Sequence, residues 1–260
     1  MNPFHFGAPE APLFGMYTPP RASAARPAGV LLCAPIGLEY IRTHYALRLL
    51  ALQLAEAGYH VLRFDYHGVG DSSGTIARGQ FDVWVDDVIL AARELAEISG
   101  SDALTVVGLR AGAALALEAL VREPVHTPGL VLWDPVTDGS DYLATLEALH
   151  AQMAAQRSEP PAASEELLGT AFPDDLRAAL RGFELEQRLD AADLRSAALV
   201  VSEDRPNFRS LLAKIRSRWP DADYRHLTDP MQWDSLKAAF DARMTGPIVR
   251  AVAQATEALA

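Results

Sequence analysis

Cysteine is almost absent: Cys33 stands alone among 260 residues. No disulfide can therefore form within the chain, and no metal centre can be assembled from several thiolates. Basic residues are in deficit, 23 Lys and Arg against 34 Asp and Glu, for a formal net charge of −11. That balance speaks against a nucleic acid or an anionic membrane as partner, since both require a basic face. No stretch reaches the about 18 uninterrupted apolar residues of a membrane span. The opening Met1-Asn2-Pro3-Phe4-His5-Phe6 lacks the basic flank and apolar run of a secretory signal, so a cytoplasmic location is expected. Metal-ligand spacing is missing too. His5, His60, His126 and His150 have no partner at a useful distance in sequence and read as structural or surface residues. Gly68-Val69-Gly70 opens no helix, so it is not a dinucleotide fingerprint, and no cofactor is implied.

What is present is an alternation of apolar strands and helices. An opening hairpin is expected across residues 4–17, followed by a fully apolar strand at Gly29 to Ala34 that ends at Pro35. A helix rich in Leu and Ala is expected from about His44 to Gly58, and a second strand from His60 to Asp65. A glycine-rich loop, Asp65 to Gly74, leads to a helix over roughly Phe81 to Ser99. Further strands are expected at Ala103 to Val107, Gly129 to Trp133 and Ala197 to Val201, with a weaker one at Asp223 to Leu227 and a closing helix from about Pro247. Short, continuously apolar strands between helices mark a parallel sheet covered on both faces. Residues 138–189 break the pattern, with helical segments, no convincing strand, and breaks at Ser158-Glu159-Pro160-Pro161 and Phe172-Pro173. The expectation is one α/β core, 1–137 and 190–260, interrupted by a helical cap at 138–189 that lies over a pocket. The cap's apolar residues Tyr142, Leu143, Leu146, Leu149 and Met153 either roof that pocket or simply pack helices.

The most informative motif is Gly108-Leu109-Arg110-Ala111-Gly112, between the strand ending at Val107 and the helical run from Ala113 to Leu120. Strand, Gly-x-Ser-x-Gly and helix form the nucleophile elbow of α/β-hydrolases, whose glycines admit a strained turn that lifts the middle side chain above the sheet. Here that side chain is Arg110. A guanidinium stays protonated and cannot attack a carbonyl, which excludes ordinary serine chemistry at this position.

Four ordered stretches, Ala34 to His44, Leu62 to Ser72, Gly108 to Gly112 and Leu132 to Val136, together resemble the α/β-hydrolase superfamily over nearly the whole chain. More narrowly the chain is similar to a bacterial branch labelled serine aminopeptidase-like, or exosortase-system-associated hydrolase 2, some of whose members carry Arg at the elbow. The resemblance implies an α/β-hydrolase fold: a mostly parallel central sheet, helices on both faces, and a helical cap inserted before the penultimate strands. It also implies an acid after a late strand, either Asp134 or, at Ser202-Glu203-Asp204, Asp204 or Glu203. The base would be a His in the loop after the last strand, but Thr228-Asp229-Pro230-Met231-Gln232-Trp233-Asp234 contains none. His226 is nearby, within the expected strand.

Arg110 would stand at a helix N-terminus beside unpaired backbone N–H groups. With the Ala111 amide and a second donor at Ile36 or Gly37 as oxyanion donors, it would make a site for a carboxylate, a phosphate or an enolate. Alternatively Asp134 or Asp204 holds it in a buried ion pair that closes the pocket. His44 is a candidate base with Glu39 as its orienting carboxylate. Against that, Thr43 or His44 begins the helix and Glu39 binds nearby amides, with Arg42 beside them. Cys33, inside an apolar strand, reads as packing. Asp65, Tyr66, His67, Asp71 and Ser72 border the site; Asp71 and Ser72 organise their own loop, and His67 is a candidate to face substrate. Trp84, Trp133 and Trp219 read as packing residues. Two functions follow: a divergent enzyme acting on a small acyl ester, thioester or amide through a non-serine site, or an inactive relative that binds an acyl or anionic ligand or a partner protein.

Overall fold

A computed structural model of the chain describes residues 1–21, 25–76, 80–101, 103–123, 129–156, 165–228, 231–240 and 246–259. The break at Ser158-Glu159-Pro160-Pro161, His126, and Asp229 and Pro230 lie outside the described residues. In chain order the elements are β1 (Asn2–Phe6), β2 (Leu13–Thr18), β3 (Gly29–Cys33), α1 (Leu38–Glu56), β4 (His60–Phe64), α2 (Gln80–Ser99), β5 (Leu104–Leu109), α3 (Ala111–Arg122) and β6 (Gly129–Trp133). Then come α4 (Gly139–Ala155), β7 (Glu166–Leu167), β8 (Thr170–Ala171), α5 (Asp174–Arg181), α6 (Leu185–Ala191), β9 (Ser196–Val201), α7 (Pro206–Arg218), β10 (Tyr224–His226), α8 (Leu236–Ala239) and α9 (Gly246–Leu259).

The continuously apolar runs pair with one another. Among the described residues the main sheet has the order β1-β2-β4-β3-β5-β6-β9-β10. The β1–β2 hairpin packs antiparallel onto the edge of β4, and every pair from β4 to β10 is parallel. β3, β5 and β6 are buried along their whole length, as strands covered on both faces must be. The reversal of strand order at β3 opens a crevice beyond the C-terminal ends of β3 and β5, where sheets of this class carry their sites. No helix among the described residues is long and apolar enough to cross a membrane.

Two local differences from the sequence reading matter. Helix α1 begins at Leu38, six residues before the expected His44. Its start is a backbone turn at Gly37 (φ 60°, ψ −139°) with no side-chain cap, a conformation that glycine adopts readily. Thr43, which resembles a cap, lies inside the helix and donates its hydroxyl to the Glu39 carbonyl at 2.8 Å, a back-bond made by interior threonines. Between α4 and α5 stands the small β7–β8 hairpin, with Leu168 and Gly169 at its turn, both at positive φ. Two-residue strands are too short to show a period of two, so no strand was legible there. Tyr142, Leu143, Leu146, Leu149 and Met153 of α4 are all buried.

The elbow depends on close backbone approach. A Cβ on Gly112 would lie 2.3 Å from the Ala34 carbonyl oxygen and 2.4 Å from that of Cys33. Neither strand end can retreat without breaking the β3–β5 ladder. Gly112→Ala is expected to cost about 3 kcal/mol or more in urea unfolding. Gly246→Ala, at the start of α9 with nothing within 4 Å of the added atom, should change stability by less than about 0.5 kcal/mol; equal effects would refute the close-approach account.

Candidate functional site

Strand β5 delivers Arg110 to the crevice, and the turn there holds it at φ 53°, ψ −124°. The Arg110 N–H donates to the Trp133 carbonyl at 3.1 Å, and its own carbonyl accepts from Ala113 at 3.0 Å and Val136 at 3.3 Å. A non-glycine residue in that region stores about 1–3 kcal/mol of strain. The elbow geometry is therefore kept although the side chain is not a nucleophile.

The guanidinium is buried, and the walls of the site satisfy it. Nε donates to Glu39 Oε1 at 3.1 Å and a terminal nitrogen donates to the Asp134 backbone carbonyl at 3.2 Å. The aromatic faces of Trp233 and Tyr142 lie 4.8 and 5.4 Å from its central carbon, within cation–π range. Burial works against the charge on Arg110, but Glu39, Tyr142, Asp134 and the Glu39 hydrogen bond together hold its pKa above the usual arginine value. Tyr142 donates its hydroxyl to the second Glu39 oxygen, Oε2, at 3.2 Å. Burial in the first place, then the Glu39 charge, pushes that phenol well above its usual range.

Asp134 sits beneath, fully enclosed, also at positive φ (40°). Its Oδ1 accepts the Ser202 N–H at 2.7 Å, and Oδ2 accepts the Ser202 hydroxyl at 2.8 Å and the Trp233 indole N–H at 3.1 Å. Burial raises the Asp134 carboxyl above the ordinary carboxylate range, with these donors and Arg110 pulling the other way. Trp233 is itself clamped, since the Arg42 guanidinium covers its ring at 4.7 Å and donates to the Met231 carbonyl. The indole thus packs against two guanidiniums.

These contacts reproduce a triad's connectivity with two of its members exchanged. In a Ser-His-Asp site the histidine N–H donates to the acid while the ring faces the nucleophile. Here Trp233 donates to Asp134 and faces Arg110. An indole has a donor and no basic nitrogen, so it cannot accept a proton from anything at the elbow. The sequence reading missed Trp233 because it sought a histidine in that loop; a tryptophan in the histidine's loop was the available signal. The partner of Arg110 is likewise neither Asp204 nor the Asp134 carboxylate but Glu39.

The remaining candidates divide plainly. Ala111 begins α3 and Ile36 and Gly37 precede α1, all beside the site; the first amides of α3 have no intrahelical acceptor. Asp204 does not belong here: it is on the surface and accepts from Arg209 at 2.7 Å, because the end of β9 contributes Ser202 to Asp134 in place of an acid of its own. Glu203 pairs with Arg205 and accepts the Gln232 N–H at 3.2 Å. His226 is exposed at the end of β10, on the Asp204 side. His44 does not reach Glu39. Five residues further along α1 it points about 140° away from it and borders a different cavity with Tyr40 and Arg63. His67 packs on Gly74 and its carbonyl accepts Gln80 and the Trp84 indole, so it holds a loop. Cys33 is fully buried in β3, and burial raises its thiol well above the usual range. His60 bonds the Tyr17 hydroxyl at 2.6 Å, His150 accepts the Leu168 N–H at 3.0 Å, and His5 stacks edge-on against Phe14. Among the described residues no group of three His, Cys, Asp or Glu is placed to hold a metal ion.

Among the described residues, the spaces beside Arg110 and Glu39 are small. A cavity of about 60 Å³ lies between it, Thr137, Tyr142, Arg205 and Asn207. Another of about 10 Å³ lies between Ile36, Glu39, Tyr142 and Phe172.

Residues 40–181 match the family model of the serine aminopeptidases, S33. The chain belongs to that family. Similar solved structures include an esterase from Pyrococcus furiosus (15% identity, 89% of this chain and 84% of that one, TM-score 0.59). An α/β serine hydrolase homologue from Coxiella burnetii is 15% identical over 100% and 97% of the two chains, with a TM-score of 0.57. The N-formylmaleamic acid deformylase of Pseudomonas putida is 20% identical over 91% and 97%, with a TM-score of 0.57. At these identities the likeness is one of fold, the α/β-hydrolase fold. No curated protein matches the chain.

Two measurements check the electrostatics. Glu39→Ala strands a buried guanidinium and is expected to cost about 3–5 kcal/mol. Arg110→Met strands the carboxylate with a similar cost, and the double variant should recover about 2–3 kcal/mol of the sum in a double-mutant cycle; strict additivity would mean that the pair is not coupled. The second concerns Asp87, which accepts the His67 N–H at 2.7 Å. Burial, opposed by that hydrogen bond and aided by Asp86, pushes its carboxyl up to about 7. A folded pKa above the unfolded value favours folding most at low pH, and the contribution disappears as pH rises through about 7. Asp87→Asn keeps an acceptor, so its stability relative to wild type should rise by about 2–4 kcal/mol between pH ~4 and ~8. A pH-independent difference would contradict the raised pKa.

Proposed function

We propose that this member of a hydrolase family does not carry out acyl transfer at its elbow, and that it acts by binding. The observation that supports this reading most directly is the occupation of Arg110. Its guanidinium is spent on Glu39, the Asp134 carbonyl, Tyr142 and Trp233. A substrate anion would have to displace a carboxylate that is already covalently part of the protein. The step also lacks its parts. No nucleophile stands at the turn, and the side chain in the base's place has no lone pair to offer. The residues expected to form a cap, α4 above all, lower Tyr142 onto the ion pair, and among the described residues the spaces beside it are small. Binding of a small-molecule acyl or anionic ligand, or of a partner protein, is then the role left to the scaffold.

The test is turnover of acyl p-nitrophenyl esters and acyl-CoA thioesters by wild type, Arg110→Ala, Arg110→Ser and Arg110→Ser/Trp233→His. Wild type and both single variants are expected to match the uncatalysed rate. The double variant rebuilds a serine, a histidine facing it and an acid beneath, and should exceed Arg110→Ser by about 10²-fold, the usual contribution of a positioned base. Wild-type turnover that Arg110→Ala abolishes would overturn the proposal and establish a non-serine enzyme.

A further inference from the structure

Arg63 contrasts with Arg110. It lies in β4, paired in register with Leu32 of β3 and Met16 of β2, and is about nine-tenths buried. Among the described residues it makes no hydrogen bond or ion pair, and its enclosed Nε has no acceptor. Asp65 is near enough to act on its charge, but both of that carboxylate's oxygens are engaged. Oδ1 accepts the Tyr40 hydroxyl at 2.6 Å and Oδ2 the Asp71 N–H at 3.0 Å.

Arg63 borders a cavity of about 220 Å³ between α1 and the sheet. Phe14, Met16, Leu32, Leu47 and Phe64 make its body, and the exposed His44 and Asp71 stand at its rim. We propose that this cavity is a ligand site for a small monocarboxylate with an apolar body, with Arg63 as the residue that takes the carboxylate.

A charge taken from water needs a partner, and the cavity is the side from which one can come. The guanidinium's fork matches a carboxylate. Asp65 and Asp71 in the wall disfavour a dianion such as a phosphate monoester. At about 220 Å³ the cavity is sized for a small organic acid. Burial lowers the pKa of both Arg63 and His44, and on His44 the Arg63 charge acts next in the same direction. The site is separate from the elbow, and esterase activity in wild type would leave it standing.

The experiment is calorimetric titration of the full chain with hexanoate and phenylacetate, with hexan-1-ol and inorganic phosphate as controls, alongside unfolding temperatures without ligand. Wild type is expected to bind one carboxylate per chain and both controls about tenfold or more weakly. Arg63→Met should lose binding by a similar factor while its unliganded Tm equals or exceeds that of wild type, because it removes an unpaired buried charge. A merely structural Arg63 would lower it. Leu47→Trp keeps the arginine, fills the cavity and should also lose binding, which covers the case of an Arg63 variant that fails to fold. Absence of saturable carboxylate binding by wild type, undiminished binding by either variant, or a preference for phosphate would each overturn the proposal.

Discussion

A buried guanidinium is costly to leave without partners, and the elements around Arg110 are arranged to meet that demand there. Glu39 must approach from the first turn of α1, so α1 has to begin at Leu38, and Gly37 makes the turn that permits it. Tyr142 must come down from α4 to bond Glu39, which fixes where the segment between β6 and β9 crosses the sheet. Trp233 must lie flat against the cation, so the loop after β10 is fastened to Ser202 and Glu203 through the Met231 and Gln232 amides. Three segments distant in sequence are thus brought to one side chain. Their joint cost of ordering is met because the alternative, an isolated charge in an apolar crevice, is worse.

The backbone beneath keeps the form of the elbow with an arginine, not a serine, at its apex. Arg110 and Asp134 both sit at positive φ, and each such residue stores strain of about 1–3 kcal/mol. In a working hydrolase the strain holds a nucleophile. Here it persists because the surrounding contacts over-determine the turn. The Arg110 N–H and carbonyl are tied to Trp133, Ala113 and Val136, and Gly112 lies against the Ala34 and Cys33 carbonyls. Relaxing the turn would break the junction of β5 with α3, which the core needs whatever the side chain does. Retained elbow geometry is therefore evidence of descent and packing, and says little about reaction.

This separation also explains what could be read before the structure. The strands were legible because burial on two faces demands unbroken apolar runs such as Val30 to Cys33 and Leu130 to Trp133, and no helix of the same composition would be so short. Arg110, Asp134 and Glu39 were legible as candidates because motif and position point to them. Their pairing was not. The Glu39–Arg110 contact spans 71 residues and depends on a helix start made by backbone at Gly37, where no capping side chain announces it. Placing the start near His44 puts that residue at the helix N-terminus beside the site, whereas six residues into the helix it is turned to another cavity. Asp204 was an error of a different kind. Several acids follow late strands in this fold, and only three-dimensional contact shows that Ser202 serves Asp134 while Asp204 faces solvent with Arg209. Trp233 escaped because its role is defined by what it replaces.

The two buried arginines show how structure and ligand can be told apart on physical grounds. Arg63 lies near the end of β4 and Arg110 just beyond the end of β5, and both are held from water. Arg110 is matched within the chain by a carboxylate, a carbonyl and two rings, and the space beside it is small. Arg63 has its nearest carboxylate engaged by Tyr40 and Asp71, and a larger apolar cavity opens on it. An internally matched charge has little left to give an incoming anion, because binding would only exchange one carboxylate for another. A charge without a hydrogen-bonded partner has more to gain when an anion arrives, even with Asp65 already acting on it. The affinity of this protein for anions should therefore reside where its fold has left electrostatic demand unmet, at Arg63, and not at the position where its family ordinarily does chemistry.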